Sequence, residues 1–399
     1  MQLLDVSPQT WIPFIHQHWD ENPDDLLLKY HHKNKNTPAD LPIQELIQQL
    51  ISYKKAAVKF PRLHRDGMLY TPKSIEQSTG EAMVRYKSGK WSGSIAVDGT
   101  GGLGMDTVAL AQTFERVIHI EPDVQLQKIA RHNHQIMGIG KVVEYMNTTI
   151  EEWLSNNPIH ADAIYLDPSR RDSTRRFFSL EDSQPNVVEL KHQLLNNCNL
   201  LACKLSPMFD ADALLQQLPE TGNIECCSFD FEVKEVLAEI EPSASSSKIR
   251  AVLVDENGQI KHSINRENAT ESLTSIPDPE YLYQPDPAVI KAGATVTLAS
   301  QLNLEIIGNP GFYLTSDKLN EHFPGKIYRI EQTGKYQPKR LKKLLAELRY
   351  THIRIHRKNF PVSPDELYKK LRVSMGNQAD LFLTRDENHK PVFFLCQPV

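Results

Sequence analysis

One stretch, residues 94–107, constrains the fold more than any other part of the chain. It opens with Ile95–Val97, a short apolar run typical of a strand that is buried on both faces. Glycine then occupies four of the six positions in Gly99–Gly104, and a helical apolar pattern begins at Val108. A strand that ends in glycines and continues as a helix brings backbone N–H groups and a partial positive charge close to a ligand. The stretch therefore predicts an open α/β sheet with a ligand site at the end of one strand.

Acidic residues at two strand ends indicate which classes of ligand the site could bind. Asp98 stands directly before the glycines, and Glu121 ends a second predicted strand that begins at Arg116. The spacing between the two acids is that at which a carboxylate meets a ribose in a βαβ unit. The glycines also satisfy the dinucleotide pattern G-x-G-x-x-G, so a nicotinamide cofactor is an alternative. Pro122-Asp123 follows the second acid instead of a basic residue, which argues against NADP.

A further strand ends in the loop Asp167-Pro168-Ser169-Arg170-Arg171. Together with the glycine-rich loop, this segment resembles the class I S-adenosylmethionine-dependent methyltransferases. The resemblance implies a seven-stranded doubly wound α/β sheet and S-adenosylmethionine as the cofactor. Asp98 and Gly102 would hold its methionine moiety, and Glu121 its ribose. The full set of implied cofactor-binding residues is Asp98, Gly99, Thr100, Gly101, Gly102, Gly104, Glu121 and Thr149, the last near the adenine.

The resemblance also assigns the acceptor side of the site. Asp167, Pro168 and Arg170 are the expected catalytic residues, and the Asp167 carboxylate is the hydrogen-bond acceptor that would orient an amine. Amino-methyltransferases have a second proline and an aromatic residue after Asp-Pro, and this chain has Ser169 and Arg170 there instead. The expected substrate-binding residues of this region are Arg171, Arg175 and Lys204. Cys203 leaves open a nucleophilic uridine C5 mechanism, although a buried strand cysteine is the favoured interpretation.

The charge distribution points to a partner. Residues 326–372 contain fourteen Lys and Arg against four Asp and Glu, in a chain whose net charge is −5. Clustered Lys and Arg bind phosphates with release of counterions, so this segment predicts RNA binding. Its sequence resembles the THUMP-like domain of bacterial methyltransferases, and THUMP domains are RNA-binding appendages. The predicted RNA-contacting residues here are Lys339, Arg340, Lys343 and Arg357.

The composition changes near residue 263, and the arrangement of the family that the chain resembles implies four segments over the 399 residues. They are an N-terminal helical segment (1–68), the methyltransferase core (69–262), a small ferredoxin-like α+β module (263–325) and the THUMP-like basic domain (326–399).

Other features of the sequence exclude several classes of protein. Five cysteines without regular spacing predict no disulfide framework and no metal site. The first residues lack a signal-peptide pattern, and no apolar run is long enough for a membrane span, so a cytoplasmic protein is expected.

The predicted function is methylation of RNA, at a tRNA or rRNA base. The alternatives are an RNA-binding protein with a relic cofactor pocket and a NAD-dependent oxidoreductase, and the oligomeric state stays open.

Overall fold

The structure is a computed structural model that describes residues 1–32, 36–156, 159–170, 180–241, 246–267, 279–308 and 311–399. These residues form two compact units. The first unit comprises residues 1–224, 234–247 and 254–260, and the second comprises 225–233, 248–253 and 261–399.

The first unit begins with helices. They are α1 (Pro8–Gln17), α2 (Pro23–His32), α3 (Ile43–Lys59), α4 (Pro72–Gln77) and α5 (Glu81–Lys87). Leu46 and Leu50 of α3 are fully buried, as its apolar spacing predicts. Trp11, Tyr53 and Tyr70 form an edge-to-face aromatic chain with ring centroids 5.9 and 6.0 Å apart. The same core includes Leu103 and Ile129, so the N-terminal helices share their apolar interior with the glycine-loop region.

The segment that leads into α4 is held by two buried amides. The Gln49 side chain donates to the Met68 carbonyl at 3.0 Å and accepts from the Tyr70 N–H at 3.3 Å. The Asn133 side chain exchanges two 2.8 Å hydrogen bonds with the backbone of Leu69. Buried backbone N–H and C=O groups need hydrogen-bond partners. Residues 68–70 lie in no helix or strand, so the two side-chain amides provide those hydrogen bonds. They place the start of α4 beside the glycine loop.

An α/β sheet follows. Its strands and helices, in chain order, are β1 (Gly93–Asp98), α6 (Met105–Leu110), β2 (Phe114–Ile120), α7 (Val124–Met137), β3 (Val143–Met146), α8 (Ile150–Asn156), β4 (Ala161–Leu166), β5 (Ser169–Arg170), β6 (Ser183–Gln184), α9 (Val187–Asn196), β7 (Cys198–Leu205), α10 (Ala211–Gln217), β8 (Thr221–Phe229), β9 (Glu232–Ile240), β10 (Lys248–Val254) and β11 (Ile260–Asn265).

The strand order of the main sheet is β11-β10-β8-β9-β7-β4-β1-β2-β3. The pairs β1–β2, β2–β3, β1–β4 and β4–β7 are parallel, and β9 runs antiparallel to β7. The predicted doubly wound α/β fold is confirmed, with nine strands instead of seven. The sequence of residues 224–240 predicts a single strand. Asp230 and Phe231, with φ of 53° and 61°, instead make a tight turn that divides this segment into β8 and β9, which gives one extra strand. The other is β11, which follows the Asn257-Gly258 turn.

The second unit contains a seven-stranded sheet. Its remaining elements are β12 (Tyr281–Pro285), α11 (Pro287–Lys291), α12 (Thr295–Leu302), β13 (Glu305–Ile307), β14 (Tyr313–Ser316), β15 (Gly325–Lys335), α13 (Pro338–Glu347), β16 (His352–Arg357), α14 (Pro364–Leu371), β17 (Ser374–Arg385) and β18 (Pro391–Pro398). The order is β13-β14-β12-β15-β18-β17-β16. Strands of the predicted segments 263–325 and 326–399 thus share one sheet, joined where β12 pairs with β15 through Leu282 and Tyr328.

Candidate active site

The glycine-rich loop between β1 and α6 is shaped by two buried imidazoles. Gly102 and Gly104 have φ of +55° and +84°, which L side chains rarely adopt. A Cβ at Gly101 would lie 2.3 Å from the His119 ring, and one at Gly104 would lie 2.2 Å from Nε2 of His134. Burial lowers the pKa of His119 to about 3 and that of His134 to about 4, so both rings are neutral at pH 7. The loop backbone therefore lies directly on two uncharged rings.

Glu121 lies at the end of β2 and faces the loop. One carboxylate oxygen accepts from the Gly102 N–H at 2.9 Å, and the other accepts from the Asp123 N–H at 2.8 Å. Burial raises the pKa of Glu121 above its ordinary value, against the effect of these two hydrogen bonds. A carboxylate offers about four lone-pair sites, so both oxygens keep capacity for further donors such as ribose hydroxyls.

Asp98 lies beneath the loop instead of facing the ligand space. Its carboxylate accepts from the Thr107 hydroxyl at 2.6 Å and from the Thr100 N–H at 3.3 Å, and the residue is 1% exposed. Burial, followed by the neighbouring Asp106 charge, raises the pKa of Asp98 to about 7. Asp98 thus contacts the loop from behind, and its predicted contact with the methionine moiety stays a prediction.

Asp106, in the first turn of α6, lines the cavity and is not among the predicted site residues. Its carboxylate lies 2.6 Å from Nζ of Lys87 and accepts from the Thr79 hydroxyl at 2.8 Å. Lys87 is itself buried and also contacts Glu235 at 3.2 Å and the Tyr165 hydroxyl at 3.0 Å. Burial alone would raise the pKa of Asp106, but Lys87 and Lys204 hold it below its usual range.

Asp167 follows β4 at the carboxyl edge of the sheet. Its N–H donates to the Thr100 hydroxyl at 2.7 Å, and its carboxylate forms an ion pair with Lys204 at the end of β7. Both side chains line the cavity. Burial raises the pKa of Asp167, an effect that Lys204 opposes. The structure therefore brings together the predicted catalytic carboxylate and the predicted substrate-binding lysine.

The other residues predicted on the acceptor side differ in whether they line the cavity. Pro168 is half-buried and is not among the cavity-lining residues, whereas its neighbour Ser169 is. Arg170 belongs to β5, which pairs with β6. Arg171 and Arg175 lie outside the described residues. Cys203 is 0% exposed within β7, and burial raises its pKa, which is unfavourable for a thiolate nucleophile.

A cavity of about 630 Å³ joins these groups. Gly99, Thr100, Gly101, Gly102, Gly104, Glu121 and Thr149 all contribute to its lining, as do the polar residues Lys73, Ser74 and Gln77 of α4. Thr71 and Ser74 form a reciprocal capping box at the start of α4. The Thr149 hydroxyl accepts from the Glu152 N–H at 3.3 Å, and its role near adenine stays a prediction.

The basic C-terminal residues lie on the second unit. Lys339, Arg340 and Lys343 are exposed on α13, whose Leu341 and Leu345 are buried against the sheet. Arg357 is exposed at the end of β16, and its guanidinium donates to the Phe360 carbonyl at 3.0 Å. The helix thus has an apolar inner face and a cationic outer face.

No helix within the described ranges is long and apolar enough to cross a membrane. Among those same residues, His, Cys, Asp and Glu side chains form no group of three that could hold a metal ion.

Comparisons with known proteins agree with this geometry. Residues 325–398 match a THUMP domain-like family. Two Mycobacterium tuberculosis proteins (strains CDC 1551 / Oshkosh and ATCC 25618 / H37Rv), described as uncharacterized S-adenosylmethionine-dependent methyltransferases, are each 23% identical over 346 residues, 85% of this chain and 92% of their own length. A crystal structure of a candidate methyltransferase from Porphyromonas gingivalis W83 superposes with a TM-score of 0.81 at 26% identity, covering 100% of this chain and 98% of that one.

Fold, cavity and comparisons define a class I S-adenosylmethionine-dependent methyltransferase with a THUMP-like domain near its C-terminal end. The residues present fit such a cofactor, since the bare loop backbone and the Glu121 carboxylate converge on one cavity. The nicotinamide alternative is thereby set aside.

Proposed function

We propose that this enzyme transfers the methyl group of S-adenosylmethionine to RNA bound by the basic C-terminal residues. The observation that carries the RNA acceptor is the cationic outer face of α13, with Lys339, Arg340 and Lys343 exposed in the region that matches a THUMP-like family. Clustered Lys and Arg on a surface bind phosphates, and one of the three cations, Lys343, also lies 3.5 Å from the Glu347 carboxylate. The segment carries this charge although the chain as a whole is acidic.

S-adenosylmethionine is the cofactor, and when bound it supplies an electrophilic methyl group on a positively charged sulfur. Glu121 accepts hydrogen bonds from its ribose, since Glu121 lines the cavity and its oxygens keep capacity for donors beyond the Gly102 and Asp123 N–H groups. Asp106, held by Lys87 and Thr79, presents a carboxylate to the cationic methionine end. Gly101 and Gly102 offer backbone at close range.

Asp167 and Lys204 act on the acceptor. They come from the carboxyl ends of neighbouring parallel strands, where open α/β sheets bind ligands. Most of the rate enhancement comes from holding the acceptor in line with the methyl group, because the methyl donor is already activated. Arg170, Arg171 and Arg175 remain proposed contacts to the RNA backbone near this point.

Tritium transfer tests the proposal. The purified protein is incubated with S-adenosylmethionine labelled in its methyl group and with total RNA from cells whose copy of the gene is deleted, and the RNA is separated by size. Label in a tRNA or rRNA band is the expected result. A protein that binds the cofactor in calorimetry but labels no RNA has another acceptor. A protein that binds RNA but no cofactor retains only a relic pocket.

A further inference from the structure

A cluster of five charged side chains lies at the cavity. Its members, Lys87, Asp106, Asp167, Lys204 and Glu235, come from α5, α6, the loop after β4, β7 and β9 of the first unit. Lys87 lies between Asp106 at 2.6 Å and Glu235 at 3.2 Å, while Lys204 pairs with Asp167. Asp106, Asp167 and Lys204 line the cavity, whereas Lys87 and Glu235 have side chains only 1% exposed.

We infer that the acceptor atom is a hydroxyl oxygen, the 2′-hydroxyl of an RNA ribose, instead of an amine on a base. This inference rests on the proposed function, RNA methylation, and specifies which atom is methylated. It departs from the base acceptor that the sequence predicts.

The ion pair between Lys204 and Asp167 decides between the two kinds of acceptor. A hydroxyl can donate its O–H to the carboxylate and at the same time accept from the ammonium, so one atom satisfies both side chains. The nitrogen of an amine on an aromatic ring has its lone pair delocalised into the ring and accepts poorly. It also becomes positive as the methyl group arrives, and a neighbouring ammonium opposes that charge.

The carboxylates of the cluster keep Lys204 positive. Burial alone would lower the pKa of Lys204, but Asp167, and after it Asp106, hold that pKa above its ordinary value. Lys87 is likewise kept protonated by Asp106 and Glu235, which raise its pKa although burial lowers it. The ammonium of Lys204 is thus available to stabilise negative charge on an acceptor oxygen.

The lining of the cavity also favours a ribose. Among its described lining residues there is no aromatic side chain. Enzymes that modify a base hold its plane by stacking, whereas a ribose hydroxyl is reached without stacking. The polar residues Ser169 and Gln184 are among the lining residues.

In the step that follows, the ribose oxygen forms a bond to the methyl carbon. The carbon–sulfur bond breaks, its electron pair stays on sulfur, and the sulfonium charge is lost. The hydroxyl proton moves to the Asp167 carboxylate, whose pKa burial has raised, and then to solvent. Lys204 keeps its proton throughout and donates a hydrogen bond to the oxygen.

Alkaline hydrolysis of the labelled RNA tests this inference with the wild-type protein. Alkali cleaves RNA through the free 2′-hydroxyl, so 2′-O-methylation leaves the label in an alkali-stable dinucleotide, whereas a methylated base is released in a mononucleotide. Label in dinucleotides is the expected result. Label in mononucleotides would overturn the inference and leave RNA methylation standing. A total absence of label would overturn the proposed function and this inference with it.

A substitution gives an independent test, because the two acceptors predict opposite signs. Lys204→Met should slow transfer by about 100-fold or more for a hydroxyl, since it removes the charge that stabilises the oxygen. For an amine it should leave the rate unchanged or raise it. Lys204→Arg, which keeps the charge, should recover part of the rate, and Lys128→Met, at an exposed lysine of α7 away from the cavity lining, should match the wild type. Wild-type transfer by Lys204→Met would contradict the inference.

Discussion

At the scale of single residues, the buried His119 makes the stability of the native protein depend on pH. The unfolded chain binds a proton at this histidine below about pH 6.5, whereas the native protein does so only near pH 3. Native stability therefore falls as the pH is lowered through that window. Compared with a His119→Gln variant, the wild type should lose about 1.4 kcal/mol of unfolding free energy for each pH unit between 6 and 4. Urea denaturation at several pH values measures this difference, and parallel curves for the two proteins would refute it.

Glu121 is the residue on which cofactor affinity should depend most. Glu121→Ala removes an acceptor of hydrogen bonds from the ribose, and bonds to charged groups are worth about 1.5–3 kcal/mol. The affinity for S-adenosylhomocysteine in calorimetry should therefore fall by about 10- to 100-fold. Glu115→Ala, at an exposed carboxylate on the same strand, should bind like the wild type. Equal affinities for the two variants would remove Glu121 from the site.

At the scale of elements, the short helix α4 forms one wall of the cavity and depends on its cap. Thr71→Ala removes the hydroxyl that accepts from the Ser74 N–H, which costs about 1 kcal/mol. Hydrogen exchange should accelerate at residues 74–77, and cofactor affinity should fall with it. Thr71→Ser keeps the hydroxyl and should preserve both. Unchanged exchange in the alanine variant would show that packing alone holds the helix.

The elements also show what the sequence could predict about the site. The glycine loop, Glu121 and Asp167 all follow buried strands. The end of a buried strand can be predicted from a local apolar run, so these residues could be found from the sequence. Lys87, Asp106 and Glu235 were missed because their roles depend on contacts between elements up to 148 residues apart. Asp98 stays a prediction. Its position beside the glycines indicates a ligand contact, and its carboxylate also accepts from the Thr107 hydroxyl, a contact that no local sequence pattern predicts.

At the scale of the whole molecule, the fold class was predictable, and the sheet shared by the strands of the second unit was not. Alternating strands and helices predict a doubly wound sheet from local pattern. The pairing of β12 with β15 joins residues 40 to 48 positions apart, which no local sequence pattern predicts. The turn at Asp230 and Phe231 lacks glycine, so a hairpin looked like one long strand.

The charge on α13 predicts how the protein binds RNA. Replacing Lys339, Arg340 and Lys343 with glutamine should weaken RNA binding and lower the slope of log affinity against log salt by about 2–3. Cofactor affinity should not change. Filter binding at several salt concentrations measures the slope. A slope equal to that of the wild type would place the RNA elsewhere.

The most direct test of the account compares the wild type with Asp167→Asn in a single turnover. Both proteins are saturated with tritium-labelled S-adenosylmethionine, confirmed by calorimetry, and mixed with total RNA. If Asp167 acts on the acceptor as proposed, the wild type labels RNA. The variant then binds the cofactor equally but transfers at least about 100-fold more slowly. Transfer at the full rate by Asp167→Asn would contradict it.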